Sequence, residues 1–388
     1  MDAGLFPDAG RRGIGSGPTI FAKPRSAFAE PALSWQRPSQ GARPGFFHTA
    51  IPGAGRPLPG AYKCQRVCLP PLIRIPLGAM KNNFDILGLG CTAIDYLLRV
   101  PHWPEKDCKL QLSHFDKQCG GLTANALVAA ARLGARCAFA GQLGADPESM
   151  FVQEVLQTEG VSTTLARRDL SAKPIQSFIL VDESSNTRTI LFHLDGAAGA
   201  AADSPTEEAI QSAKVLFVDH YGIEGMIRAA KIARAKGIPV VADLERDEFS
   251  GFSELLTLVD HLVLSLKFAR KLTGLESPQE VVRALKNPGN SVVVTGGEDG
   301  CWWQQNHQEV SHLPAFPCTV VDTTGCGDVF HGAYAAMLAK GLEMKERLLV
   351  ASAAAAIKAG FPGAQRGAPT RSQTAAFLKS HGLDIPGL

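Results

Sequence analysis

The strongest chemical signal in this 388-residue chain is a short run rich in aspartate, threonine and glycine. Residues 322–328 read DTTGCGD, and they predict an extended stretch and a turn that open an Ala-rich helix from about Asp328 to Lys340. Such a turn leaves backbone N–H groups free at a helix N-terminus, where the helix dipole also favours negative charge. We therefore expect an anion hole, and its members are Gly325, Cys326, Gly327 and Asp328.

Asp328 stands at the edge of this expected hole. There its carboxylate could accept the proton of a hydroxyl group that attacks a phosphoryl group, and a general base of this kind contributes about 10²- to 10⁴-fold to a rate. The alternative is a purely structural helix cap. A second aspartate, Asp322, brackets the same turn, which favours phosphoryl transfer over capping.

A second group of motifs points to the same chemistry. Residues 120–125 (GGLTAN) open another predicted helix and are followed by 133–135 (LGA) and 141–146 (GQLGAD). In this order, and together with residues 322–328, they resemble the signatures of the ribokinase-type (pfkB family) carbohydrate kinases. The resemblance covers about residues 84–380 and implies an ATP-dependent kinase that transfers the γ-phosphoryl group to a hydroxyl of a small sugar.

The resemblance also implies roles for individual residues. Asp328 would be the general base, and the turn Gly325–Asp328 would hold the developing charge of the γ-phosphoryl group. The substrate-binding candidates are Asp95, Gly120, Gly121, Asn125 and Arg188, with His193 as a further candidate. The nucleotide-side candidates are Thr295, Gly297, Gly300 and Thr324. Mg²⁺ would accompany ATP, and a monovalent cation, K⁺, would lie near Asp322, Thr324 and Gly363.

Two positions depart from the family pattern. Gly367 stands where a serine is often found in the cation loop, and residues 265–268 (SLKF) replace the N-x-x-E motif that organises water around Mg²⁺. A serine and a lysine in this stretch are similar to ketohexokinase-like members, as are residues 186–190 (NTRTI) and 243–246 (DLER). This similarity tilts the expected substrate towards a ketohexose-type sugar.

The motifs must be positioned by strands and helices that the sequence also indicates. Apolar runs that suit buried strands alternate with helical segments across short loops, which predicts an α/β fold with a mostly parallel sheet and helices on both faces. Residues 96–119 and the hairpin-like run 177–193 interrupt this alternation, and we expect them to form a small β lid. Ligands of such sheets bind at the carboxyl ends of the strands, so the motifs should meet there.

The first 79 residues differ from the rest of the chain. They hold 12 of the 25 prolines and ten Lys or Arg against three Asp or Glu, so that a segment of charge +7 precedes a body of charge −5. Such a segment cannot bury enough apolar surface to offset its ordering entropy, and we expect a disordered leader. Met80 directly precedes the first strand-like run, which favours a gene-model extension over a targeting leader. The kinase domain would then span residues 80–388.

Composition narrows the expected partners and compartment. A formal net charge of +2 argues against a nucleic-acid binder. The sequence contains no run of 18 apolar residues, so it does not predict a membrane span. The nine cysteines form no CxxC pair and are interpreted as free thiols, so we expect a reduced, cytoplasmic compartment. A lid outside the main sheet has unpaired strand edges, which makes a homodimer through the lid plausible.

Several other functions compete with this interpretation. Residues 88–93 (GLGCTA) fit a loose dinucleotide-binding fingerprint with Asp107 further on, but residues 94–106 contain two prolines where a helix is required. No G-x-x-x-x-G-K-[ST] run is present, which excludes a P-loop kinase. A nucleoside kinase of the same fold stays open, as does a sugar- or nucleotide-sensing homologue with weak catalysis.

Overall fold

The computed structural model describes residues 83–185, 187–285, 289 and 291–388 of the chain. The expected leader at 1–79 and Met80 lie outside these residues, as does Asn186 in the expected lid turn. The described strands are β1 (Phe84–Leu89), β2 (Ala93–Val100), β3 (His114–Gly120), β4 (Cys137–Phe139), β5 (Gln142–Leu143), β6 (Val161–Ser162), β7 (Arg167–Arg168), β8 (Ile175–Asp182), β9 (Thr187–His193), β10 (Ala213–Val218), β11 (Val240–Asp243), β12 (His261–Ser265), β13 (Ser291–Thr295), β14 (Cys301–Gln305) and β15 (Ser311–Leu313). The described helices are α1 (Leu122–Arg132), α2 (Pro147–Thr158), α3 (Glu207–Gln211), α4 (Ile223–Ala235), α5 (Phe252–Leu256), α6 (Leu266–Thr273), α7 (Pro278–Ala284), α8 (Cys326–Ala339), α9 (Met344–Ala359) and α10 (Arg371–Ser380).

A nine-stranded sheet with the order β15-β14-β13-β12-β11-β10-β1-β4-β6 forms the centre of the fold. The strands from β13 to β6 run parallel, and β14 and β15 add an antiparallel edge. The expected mostly parallel sheet is therefore confirmed, whereas the antiparallel edge was not predicted. Only residues 296–300 connect β13 to β14, and a connection this short can join only antiparallel neighbours.

Alternate residues of the central strands enter two separate apolar layers. Ile86 of β1 packs in the layer that contains α1, α8 and α9, and its neighbour Leu87 packs in the layer that contains α4. Both faces of the sheet are thus covered by helices, as the alternation of strands and helices predicts. Within the described residues, no helix has the length and apolar character needed to cross a bilayer.

A second sheet, with the order β3-β2-β8-β9, forms the expected small β appendage, and we call these four strands the lid. Strand β2 pairs antiparallel with β3 and parallel with β8, and β8 pairs antiparallel with β9. Residues 96–119 are more regular than expected, because Pro101 and Pro104 fall in the loop between β2 and β3. The lid begins at Ala93, so Asp95 lies in the lid, on β2.

The run before the DTTGCGD turn also differs from expectation. The N–H groups of Val321 and Asp322 both donate to the carbonyl of Ala359 at the end of α9, at 2.8 and 3.1 Å. Because two successive N–H groups share one carbonyl, this segment does not pair as a strand in a ladder. The turn therefore connects a loop to α8, which begins at Cys326, two residues before the predicted start.

Candidate active site

A close crossing of α1 and α8 brings the two main sequence motifs together. A Cβ at Gly332 of α8 would lie 2.1 Å from the carbonyl oxygen of Ala126 in α1, so glycine allows the backbones to approach. One residue before Ala126, the Asn125 amide donates from Nδ2 to Asp328 Oδ2 at 2.6 Å. The two motifs thus meet at one hydrogen bond, on the Asp328 carboxylate.

The Gln365 side chain holds Asn125 from the other side. Its Nε2 donates to Asn125 Oδ1 at 2.9 Å across 240 residues of sequence, and both side chains are buried. Arg132 at the end of α1 fixes the loop that carries Gln365 by donating to the carbonyls of Gln365 and Ala368 at 2.8 and 2.6 Å. Sequence reasoning missed this role of Gln365, because no local pattern reports a contact between such distant segments.

The turn before Asp328 has much of the shape expected of an anion hole. Gly325 has a φ of 76° and caps α8, and a Cβ there would lie 2.7 Å from the Cβ of Ala364, so that only glycine fits. A Cβ at Gly327 would meet nothing within 4 Å, which leaves that side open. The Cys326 N–H already donates to the Thr323 carbonyl at 3.2 Å, so it is less available to an anion than expected.

Four carboxyl groups share this part of the site and affect one another's pKa. Burial raises the pKa of Asp328, against the opposing effects of Asn125, His331 and Lys358. Burial also raises the pKa of Asp95 to about 7, that of Glu245 to about 7, and that of Asp243 well above its ordinary value. The charge of Asp328 adds to all three rises. A carboxylate whose pKa is raised is a stronger base, which suits Asp328 to proton abstraction.

The two glycines before α1 make room for Asp95. A Cβ at Gly120 would lie 2.1 Å from Asp95 Oδ2, and one at Gly121, whose φ is 100°, would lie 2.7 Å from the backbone of Thr92. In the lid, Ala93 pairs with Gly120, so the start of β2 lies against the GG pair. The structure therefore brings Asp95 to the N-terminus of the helix that carries Asn125.

Asp219, at the carboxyl end of β10, organises the floor of the site. Its carboxylate accepts from the Cys91 N–H at 2.7 Å, the Thr123 hydroxyl at 2.9 Å and the Tyr221 N–H at 2.7 Å. Burial raises its pKa to about 6 despite these three hydrogen bonds. Sequence analysis did not single it out, although an aspartate directly after a buried strand was the available signal.

His331, one turn after Asp328, lies below the carboxylates. Its Nδ1 is 2.7 Å from the Gly327 carbonyl and 3.3 Å from Asp243 Oδ2, and its Nε2 is 2.9 Å from the Val263 carbonyl. Carbonyl oxygens only accept, so this geometry suits a ring that carries a proton on each nitrogen. Burial lowers the pKa of His331, while the two carbonyls and Asp328 favour its protonated form.

Arg188 reaches the DTTGCGD turn from the lid. Its guanidinium donates to Thr323 Oγ1 at 2.5 Å, next to the anion hole. The other lid candidate, His193, is five residues along the same strand and so faces the opposite side of the sheet. It lines an open cleft with Lys173 and Asp195 instead. The structure brings Arg188 to the predicted site and leaves His193 outside it.

His220 is a buried residue that sequence reasoning missed. It follows Asp219 at the carboxyl end of β10 and is 1% exposed, and neither ring nitrogen has a hydrogen-bond partner among the described residues. Its ring packs against Tyr221 and Phe249 at 4.5 and 5.4 Å between centroids. Burial lowers its pKa to about 4, so the ring is neutral.

A cation–π stack connects the surroundings of His220 to the lid. The Arg246 guanidinium lies 5.3 Å from the ring of Phe249 and 5.7 Å from the ring of Phe192 on β9. Glu248 forms an ion pair with Arg246, with Oε2 3.3 Å from the arginine Nε. The stack therefore lies between the body of the protein and the lid, beside an imidazole whose hydrogen-bonding capacity is unused.

The nucleotide-side candidates lie at the end of β13. Thr295 ends this strand, and Gly297, with a φ of 63°, begins a short 3₁₀ turn that faces open space. Gly300 has a packing reason of its own, because a Cβ there would lie 2.1 Å from the Leu313 carbonyl. Ser265, which replaces the asparagine of N-x-x-E, caps α6 by accepting from the Phe268 N–H at 3.2 Å.

The residues proposed for a monovalent cation already have other partners. The two carboxylate oxygens of Asp322 accept from the N–H groups of Thr324 and Gly363, both at 2.8 Å. The backbone carbonyl of Asp322 accepts from Lys358 Nζ at 2.6 Å. The three oxygens of Asp322 are therefore already occupied by donors, one of which is itself a cation, and they do not fit a bound K⁺.

The structure also explains the glycines of the dinucleotide-like run. A Cβ at Gly88 would lie 2.6 Å from Leu127 Cδ1, and one at Gly90 would lie 2.2 Å from Asp219 Oδ2. No helix follows them, because β2 begins at Ala93. These glycines therefore serve close packing.

Comparisons with known proteins agree with this geometry. The model of the pfkB family carbohydrate kinases matches residues 85–371. A ribokinase from Haemophilus influenzae is 29% identical over 310 residues, which cover 77% of this chain and 99% of that protein. A nucleoside kinase from Methanothermobacter thermautotrophicus is 26% identical over 322 residues, covering 79% and 100%. The structure of Arabidopsis thaliana ribokinase complexed with ribose and ATP shares the fold, with a TM-score of 0.68 and 23% identity over 76% of this chain and 99% of that one.

The fold and the site define a phosphotransferase of the ribokinase-like class that acts on an alcohol group. The family match spans well over half of the chain, and the chain belongs to the pfkB family of carbohydrate kinases. A closer similarity to ketohexokinases is not among these findings.

Proposed function

We propose that the protein transfers the γ-phosphoryl group of ATP to a hydroxyl group of a small, uncharged sugar, with Asp328 as the general base. The observation that carries this proposal is the hydrogen bond between Asn125 and Asp328 beside the open face of Gly327. It fixes a buried carboxylate, whose pKa is raised, next to backbone amides at a helix N-terminus. A proton acceptor and an anion site thus lie side by side.

In the proposed reaction, Asp328 takes the proton of the sugar hydroxyl as its oxygen attacks the γ-phosphorus. A new O–P bond forms, and the bond from the γ-phosphorus to the β–γ bridging oxygen breaks, so that ADP leaves with the bond's electron pair. The Gly327 and Asp328 amides and the Arg188 guanidinium would stabilise the charge on the transferred group. Arg188 lies on the lid, so lid closure would complete this set of donors and exclude water.

The nucleotide would lie along the turn after β13, with Thr295, Gly297 and Gly300 at its base and Thr324 on the phosphate side. Asp243 and Glu245 would be the candidates to meet a hydrated Mg²⁺, because both lie close enough to Asp328 for its charge to raise their pKa and because Mg²⁺ prefers carboxylate and water oxygens. Among the described residues, no three His, Cys, Asp or Glu side chains converge to hold a metal directly. Bound Mg²⁺ would neutralise charge on the ATP phosphates, and Ser265 is not free to replace the missing asparagine.

The acceptor pocket favours a neutral polyol. Asp95 and Asn125 can each accept from or donate to neighbouring hydroxyls. The carboxylates of the site would repel an acceptor that carries a negative charge of its own. His220 would lie in this pocket, since it follows Asp219, and it would offer one ring nitrogen as a donor and the other as an acceptor to different sugar hydroxyls. This argues for fructose, ribose or a similar sugar over a sugar phosphate.

A panel assay tests the proposal and separates it from its two rivals. ADP release would be measured with ATP·Mg²⁺ and fructose, ribose, fructose 6-phosphate, adenosine or inosine as acceptor. We expect release above the sugar-free background with a neutral sugar. Release only with adenosine or inosine would favour a nucleoside kinase, and the family's nucleoside kinase relative motivates including them. Sugar binding by calorimetry without ADP release would favour a sensing homologue.

A second copy of the chain is the expected partner of the lid. The edge strand of the lid, β9, is exposed along its whole length. The side chains of Phe115 and Leu191 in the lid are 57% and 55% exposed. Tyr96 stacks on Phe115 and Phe178, with centroids 6.2 and 5.2 Å apart, which extends an apolar surface across the lid. Light scattering after size exclusion should give twice the chain mass, and Leu191→Lys should return the monomer mass.

A further inference from the structure

Lys358 has an unusual position for a lysine. It lies in the last turn of α9 and is 0% exposed. Its Nζ donates to two backbone carbonyls, that of Asp322 at 2.6 Å and that of Phe361 at 3.3 Å. A buried ammonium group must be matched by oxygen acceptors and negative charge, and here the acceptors belong to the catalytic turn and to the loop beside it.

These acceptors lie in the place expected for a monovalent cation. The loop 363–369 and Asp322 were the candidates for K⁺, yet Lys358 Nζ bonds the Asp322 carbonyl, and two N–H groups bond its carboxylate. An ammonium group carries the same single charge as K⁺ and is similar in size. The Lys358 side chain therefore supplies the single positive charge that a bound K⁺ ion would supply.

Gly367 gives a second, independent observation. A Cβ at this position would lie 2.7 Å from Phe361 Cβ and 2.9 Å from the Lys358 carbonyl. A serine here would therefore force apart the segments that surround Lys358. The lysine at 358 and the glycine at 367 fit one another, so the two departures from the cation loop form a single arrangement.

We propose that the Lys358 ammonium replaces the monovalent cation and holds the DTTGCGD turn in place, so that the kinase works without K⁺. This inference rests on the proposed function for its activity measurement. Lys358 is a positioning residue: it fixes Asp322, whose carboxylate in turn holds the N–H groups of Thr324 and Gly363. It touches no reacting atom.

The first test compares ions on the unmodified protein. ADP release with the accepted sugar would be measured in KCl, NaCl and tetramethylammonium chloride at equal ionic strength. We expect rates within about twofold of one another. A tenfold or greater stimulation by K⁺ would overturn the proposal.

The second test uses Lys358→Ala, which opens space for an ion, with Lys231→Ala as the matched control, since Lys231 is exposed and paired with Glu254. We expect Lys358→Ala to lose most activity in tetramethylammonium chloride and to regain at least tenfold in KCl or NH₄Cl. Its melting temperature should rise with K⁺ over tetramethylammonium, while that of the unmodified protein and of Lys231→Ala stays level. If K⁺ rescues neither the activity nor the melting temperature of the variant, the proposal is wrong. The melting measurement needs no turnover, so it separates this outcome from a failure of the proposed kinase function.

Discussion

Replacing Asn125 by leucine is the change that most specifically perturbs the base without removing it. Leucine has the same branched shape with as many side-chain heavy atoms, although it is bulkier, and it donates no hydrogen bond to Asp328, which now receives one of 2.6 Å. A hydrogen bond to a charged group stabilises it by about 1.5–3 kcal/mol. One pH unit of titration corresponds to about 1.36 kcal/mol. Loss of this hydrogen bond should therefore raise the pKa of Asp328 by about one to two pH units.

The assay is the pH dependence of kcat/KM for the accepted sugar, with ATP·Mg²⁺ saturating. Asp328 must be ionised to act as a base, and burial already raises its pKa, so activity falls as the pH drops through that pKa. In Asn125→Leu the acid limb should move to higher pH by about one to two pH units, in addition to any rise in KM. Gln365→Leu removes only the support of Asn125 and should move the limb less. An unchanged acid limb in Asn125→Leu would refute the role of this hydrogen bond.

Three further predictions follow from the site. Arg188→Ala removes the guanidinium beside Thr323 and should lower kcat at least tenfold with a smaller effect on sugar KM; an effect on KM alone, in steady-state kinetics, would place it on the sugar instead. Asp219→Ala leaves three donors unpaired, at about 1–3 kcal/mol for each buried group, and should lower the free energy of unfolding in urea by about 3 kcal/mol or more, with under 1 kcal/mol contradicting its structural role. His220→Phe removes two ring nitrogens that have no partner in the described part of the chain, and it should raise sugar KM at least tenfold without lowering the melting temperature. A lower melting temperature with unchanged KM would show a packing role only.

The fold was predictable from the sequence because its signals are local. Buried strands such as β12 and β13 have apolar residues at successive positions, which the sequence shows directly. The antiparallel edge was missed because β14, with the sequence CWWQQ, ends in two polar residues. Helix α2 begins at Pro147, and Asp146 caps it by accepting from the Ser149 N–H at 2.9 Å.

The site was predictable only as far as its motifs are contiguous. Residues 120–125 and residues 322–328 each predict a glycine turn before a helix, and the structure brings the two segments together. Gln365 and Lys358 act through contacts to residues 240 and 36 positions away, which no single segment reveals. His220 stands out because its ring nitrogens have no hydrogen-bond partner among the described residues. This can be recognised only when the neighbours of the buried ring are known.

The central claim is that Asp328 is the general base of a sugar kinase, and Asp328→Asn tests it most directly. Asparagine keeps the shape of the side chain and can still meet Asn125 or Gly327, but it cannot take a proton. The measurement is kcat for sugar-dependent ADP release, with circular dichroism and ATP binding to confirm an intact fold. The account predicts a loss of about 10²-fold or more in kcat with ATP affinity nearly unchanged. A folded Asp328→Asn variant with kcat close to that of the unmodified protein would contradict it.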